Sequence, residues 1–149
     1  MALALRALAH LTGARIAPGE LAFPEGGKPR LARAAGDSGE GPDFSISHSG
    51  PWVACAAVAR GRVGFDVELG SEARLESWAA REAALKACGA SLTEARDVEL
   101  IEGGARCRDM RLHALRLELF PGAAACVMTS LPVHGLEAHA LTLAELFAS

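Results

Sequence analysis

From Val63 to Leu69 the chain reads Val-Gly-Phe-Asp-Val-Glu-Leu, an unbroken alternation that puts Val63, Phe65, Val67 and Leu69 on one side and Asp66 and Glu68 on the other. A period of two fits an extended strand and excludes a helix, around whose axis the same apolar groups would scatter. A helical period then begins at Glu72 and runs to Cys88, stopping at Gly89, the residue type found just past helix ends. This strand and helix make the chain a mixed one.

The flanking segments are read against that pair. Trp52 to Ala59 is a second apolar run, separated from Val63 by Arg-Gly-Arg at 60–62, and the spacing predicts a tight antiparallel hairpin between the two runs. The first residues, MALALRALAHLTG, read as an amphipathic helix ending at Gly13, because Arg6 and His10 interrupt what would otherwise be a signal-like apolar run. Residues 18–43 are punctuated by Gly and Pro and read as loop with one short strand. Beyond the helix, Gly103-Gly104 and Pro121-Gly122 bracket alternating segments such as Leu115, Leu117 and Leu119, which predicts antiparallel strands. No repeat or linker interrupts residues 1–149, so the expectation is a single α+β domain with an antiparallel sheet packed on helices.

Composition excludes several partners. With 15 Lys+Arg against 18 Asp+Glu, the formal charge of −3 offers no basic excess for a phosphate backbone, so nucleic acid is not expected. The longest uncharged stretch, Leu119 to Leu136, holds Pro121, Gly122, Pro132 and His134, and no membrane span is expected. Cys55, Cys88, Cys107 and Cys126 are too widely spaced for a zinc knuckle and read as buried free thiols, which suit a reducing cytoplasm.

The charged residues carry the chemistry. Carboxylates two apart on a strand leave one face about 7 Å apart. At an effective dielectric near 20 they repel by roughly 2.5 kcal/mol, which a divalent cation between them turns into attraction. A solvated strand face is the plain alternative for Asp66 and Glu68. On the helix, Leu75, Trp78, Ala79, Glu82, Leu85 and Lys86 share one stripe, so a carboxylate and an ammonium occupy a face that should be apolar. An exposed i,i+4 pair contributes only about 0.2–0.5 kcal/mol, too little to explain that placement unless the face borders a polar site. Glu82 is therefore expected to face Asp66 and Glu68.

Lys28 and Lys86 are the only lysines. Lys28 stands in the turn-forming Gly-Gly-Lys-Pro-Arg, with its ammonium expected to be free for a phosphate. In Phe44-Ser-Ile-Ser-His-Ser-Gly50, Ser47, His48 and nearby backbone N–H groups form a donor cluster suited to an anion, or cap a turn. A hydrolase using Ser47 or Ser49 with His48 is disfavoured, because strand neighbours point to opposite faces and no GxSxG elbow is present.

In order, Gly27-Lys28-Pro29, Phe44-Ser-Ile-Ser-His-Ser-Gly50, Val63-Gly-Phe-Asp-Val-Glu68 and Trp78-Ala-Ala-Arg-Glu-Ala-Ala-Leu-Lys86 resemble the motifs of the Sfp-type 4′-phosphopantetheinyl transferases, a likeness that covers the chain from about residue 26 onward. The resemblance implies that family's fold and the transfer of phosphopantetheine from coenzyme A to a serine of an apo acyl or peptidyl carrier protein. It implies Mg²⁺ held by Asp66, Glu68 and Glu82, with Glu82 accepting the serine proton and Lys86 neutralising the diphosphate. Lys28, Arg30, Ser47 and His48 would hold the nucleotide phosphates.

Three departures qualify the likeness. Arg81 stands where the family usually has lysine, and the short stretch from Leu69 to Ser77 replaces a longer, helix-bearing insert. The family's first lobe is mostly missing, so either a second copy completes the site as a homodimer or the lone lobe turns over slowly. The alternative is a non-catalytic coenzyme A- or carrier-binding scaffold, whose mark would be lost metal ligands.

Overall fold

A computed structural model describes residues 1–25, 27–32 and 41–147. Part of the Gly/Pro-rich segment expected to be loop, at 33–40, and Gly26 of the Gly-Gly-Lys motif lie outside the described residues. The first helix, α1 (Ala2–Thr12), ends as anticipated, with Gly13 at φ 67° closing its N–H on the Ala9 carbonyl. Two short strands, β1 (Leu21–Ala22) and β2 (Arg30–Leu31), pair antiparallel.

β3 (Asp43–Ser49) and β4 (Trp52–Val58) then form a hairpin across Gly50-Pro51, where Gly50 takes φ 55°. This corrects the hairpin expected between Trp52–Ala59 and the run that follows. That run, β5 (Val63–Leu69), pairs instead with β9 (Ala123–Thr129). It is the edge strand of a five-stranded antiparallel sheet in which β6 (Glu99–Ile101), β7 (Gly104–Cys107) and β8 (Met110–Arg116) follow in meander, in spatial order β5-β9-β8-β7-β6. Arg-Gly-Arg carries the chain from one sheet to the other. Gly61 has φ 85°, and Arg62 exchanges hydrogen bonds with Ser130, just past β9. Both glycine-marked turns downstream of the helix occur where expected, at Gly103 and at Pro121-Gly122.

The layers run α1, hairpin, five-stranded sheet, α2 (Ala73–Cys88). Phe44, Ile46, Cys55 and Ala57 on one face of the hairpin meet Ala4 and Leu8 of α1. Trp52, Ala54, Ala56 and Val58 on the other face meet Val63, Phe65, Val67, Ala125 and Val127 of the sheet. The far side of the sheet, including Ala105, Leu112, Cys126 and Met128, packs on Ala79, Ala83, Ala84 and Ala87 of α2. The buried stripe of α2 is thus four alanines with Leu85: Ala79 and Leu85 of the expected stripe are buried, whereas Trp78 is 40% exposed. Leu69, placed by alternation on the apolar side, is also exposed at the strand end. No helix among the described residues is long and apolar enough to cross a membrane. All four cysteines are free thiols. Burial pushes Cys55 up to about 12 and Cys126 up to about 11, which keeps both protonated and inert.

An edge strand leaves a row of backbone groups without a ladder partner, and each needs one once buried. Side chains from β3 supply them for β5. Asp43 Oδ2 accepts from Val63 N at 2.8 Å, Ser45 Oγ from Phe65 N at 3.0 Å, Ser47 Oγ from Val67 N at 3.4 Å and Ser49 Oγ from Leu69 N at 3.0 Å. The alternating hydroxyls thus replace a missing neighbour strand. The two lysines serve the carbonyls of the same edge, Lys28 Nζ donating to Val63 O at 2.7 Å and Lys86 Nζ to Phe65 O at 3.2 Å.

Lys28 is accordingly not a free ammonium. It also pairs with Asp43, both side chains being nearly buried, and burial lowers its pKa despite that partner. Removing one member of a buried pair strands the other, so Lys28→Met is expected to cost about 3 kcal/mol. In a double-mutant cycle read by urea unfolding, adding Asp43→Asn should recover at least about 1 kcal/mol of that loss. Strictly additive losses would show that the pair contributes nothing as a pair.

Candidate functional site

The acidic cluster forms where β5 lies against α2. Asp66 and Glu68 leave the strand on the face that also bears Gly64, and that glycine lets the helix approach. A Cβ built on Gly64 would sit 1.8 Å from Ala83 O and 2.5 Å from Ala87 N. Contact this close brings Glu82 and Lys86, on the flank of the alanine stripe, over the two strand carboxylates. Asp66, Glu68 and Glu82 each offer an oxygen within 4.8 Å of the others, as the alternation and the helical spacing predicted.

Asp66 is the buried member, 2% exposed. Its Oδ1 accepts from Ser47 Oγ at 2.7 Å and from Lys86 Nζ at 2.7 Å, while Oδ2 is buried without a hydrogen-bond partner. An orphaned carboxylate oxygen is costly, and a cation is one partner that would satisfy it. Lys86 also stands 3.7 Å from Glu82 Oε1. Burial raises the Glu82 pKa, as do the charges of Asp66 and Glu68, with Lys86 pulling the other way. All three acids offer hard oxygen donors, the set that suits Mg²⁺, and the unsatisfied Asp66 Oδ2 fits such an ion.

The remaining expected residues are distributed differently. Ser47 belongs to the site, as a donor to Asp66. His48 is exposed on the opposite face of β3, and Arg30 is exposed on β2 opposite Ala22. Lys28 lies on the same strand edge as Lys86; the two carbonyls they cap are about 7 Å apart along the strand. Arg81 donates Nη1 to Ala95 O at 3.3 Å and to Val98 O, binding the 3₁₀ turn at Leu92–Asp97 to α2. The Ser–His hydrolase arrangement has no basis in this geometry. Ser47 is committed to Asp66 and Ser49 to Leu69, with His48 on the other face.

Two contributors escaped the sequence reading, Gly64 and the β3 row of Asp43, Ser45 and Ser49. Glycine inside a strand pattern is a general sign of close backbone approach and could have flagged the first. Neither protein-family models nor curated proteins give a match to this sequence.

Proposed function

We propose that this protein is a Mg²⁺-dependent 4′-phosphopantetheinyl transferase that modifies a serine of an apo acyl or peptidyl carrier protein with the phosphopantetheine arm of coenzyme A. The supporting observation is the triangle of Asp66, Glu68 and Glu82 oxygens, with one buried oxygen unsatisfied and Lys86 beside it. The α+β arrangement, an antiparallel sheet with α2 laid across the strand that bears the acids, agrees with that family's fold.

Asp66, Glu68 and Glu82 would hold the cation, which when bound supplies Lewis-acid neutralisation of the diphosphate. Ser47 fixes Asp66 by donating to Oδ1, leaving Oδ2 for the ion. Glu82 accepts the proton of the carrier serine, directly or through a water. A bond forms from the serine oxygen to the phosphorus bearing pantetheine, and the bond from that phosphorus to the bridging oxygen breaks. Adenosine 3′,5′-bisphosphate leaves with the electron pair, and Lys86 offsets the charge that develops on it. His48 and Arg30, both solvent-exposed, are assigned to the nucleotide phosphates. Lys28, neutralised by Asp43 and bonded to Val63 O, is withdrawn from that role. The four free thiols fit a cytoplasmic setting.

With coenzyme A and Mg²⁺ present, intact-protein mass spectrometry is expected to show an apo carrier protein gaining one phosphopantetheine, and chelation of the metal to abolish the gain. No gain across fatty-acid, polyketide and peptide carriers, with coenzyme A binding retained, would establish the scaffold reading instead.

A further inference from the structure

A second cluster of metal-ligating groups lies away from the acidic site, where the last part of the chain crosses α1. His10, in the last turn of α1, Glu137 and His139 each present a ligand atom within 4.8 Å of the other two. Glu137 Oε1 is 3.3 Å from His10 Nε2 and 2.8 Å from His139 Nε2, and the two imidazoles meet edge to face with centroids 4.7 Å apart. Ligands on a tetrahedral ion with bonds of about 2.0–2.1 Å stand about 3.3–3.4 Å from one another, so little movement is needed to admit an ion.

We propose that His10, Glu137 and His139 form a binding site for a divalent transition metal of the zinc class, with water as fourth ligand, that pins the C-terminal segment to α1. Two imidazoles and a carboxylate make a donor set that suits zinc and not magnesium, so this site and the acidic one select different ions. The segment needs such a fastening. Residues 131–142 form neither helix nor strand, and residues 134–145 are all exposed. Besides this cluster, the bond from Arg6 Nη1 to Glu145 O, 2.8 Å, joins α1 to the short helix α3 (Leu143–Phe147) that follows. The inference does not depend on the transferase reading.

Titration of the full chain with Co²⁺ tests it. One equivalent is expected to develop the strong visible absorption of a four-coordinate site with nitrogen ligands, and Zn²⁺ to displace it. His10→Ala and His139→Ala should each weaken binding by more than about 100-fold, beyond what loss of an outer partner costs. Asp66→Asn should leave the signal intact. In the parent, Zn²⁺ at a hundredfold excess over its Kd should raise Tm by roughly 5–10 °C, a rise that both histidine variants lose. Binding no tighter than millimolar, or binding unchanged in both histidine variants, overturns the proposal. Both variants alter exposed side chains, so failure to fold is not a competing outcome.

Discussion

The Glu82→Gln protein is expected to fold like the parent and to lose phosphopantetheine transfer by at least about 10²-fold, the usual contribution of a positioned general base. The change keeps the side-chain volume and removes one negative charge from a site that already holds Asp66 and Glu68. Stability should move the other way from activity. The folded-state pKa of Glu82 lies above its unfolded value, so between the two the native state binds more protons and parental stability falls as pH rises. That loss begins in the ordinary carboxylate range and is complete above the raised value, and the glutamine variant escapes it. In Mg²⁺-free buffer near neutral pH, the variant should therefore be at least as stable as the parent. Thermal unfolding across pH, alongside the mass-spectrometric transfer assay, reads both effects. A variant that transfers at the parental rate would remove Glu82 from the chemistry. One that is inactive and also markedly less stable at neutral pH would reassign the carboxylate to a structural role.

Gly64→Ala should be among the most damaging glycine-to-alanine changes at the described residues. The added carbon would meet backbone atoms of α2, Ala83 O at 1.8 Å and Ala87 N at 2.5 Å, and no rotamer can relieve a clash with backbone. The helix must lift from β5, opening the packing of Ala79, Ala83 and Ala87 against the sheet and drawing Glu82 and Lys86 away from Asp66. A loss of at least about 4 kcal/mol is expected, in the range that marks a specific structural failure, and most of the protein should be recovered unfolded. Gly19→Ala makes the same chemical change in open space, with no atom within 4 Å, and should be near neutral. If Gly64→Ala unfolds within about 4 °C of the parent, the close approach of α2 is not what sets the site. Where the variant keeps some fold, weakened Mg²⁺ binding should accompany the lost stability, since one displacement causes both.

The acidic site was legible because its parts obey local periods. Alternation put Asp66 and Glu68 on one face of a strand, and the helical repeat put Glu82 one turn before Lys86. The ends of α1 and α2 were readable for a similar reason, since Gly13 and Gly89 adopt the left-handed conformation that other residues avoid. The misplaced hairpin shows where that reasoning stops. Gly50-Pro51 and Arg60-Gly61-Arg62 both permit a reversal, and the choice fell to which strand could bury β5 on both faces. Ser47 was expected to bind an anion and instead supports a carboxylate, because its hydroxyl lies against an edge whose position only the packed sheet defines.

From the chain alone came the strand and helix that carry the site and the identity of its three acids. These follow from interactions within a few residues. Packing decided that β3 seals the edge of β5, that both lysines cap its carbonyls, that Asp66 keeps one oxygen unsatisfied, and that His10 meets Glu137 and His139. Each of those depends on groups far apart in sequence, whose contact is selected by burial of shared apolar faces and by the need of every buried polar group for a partner.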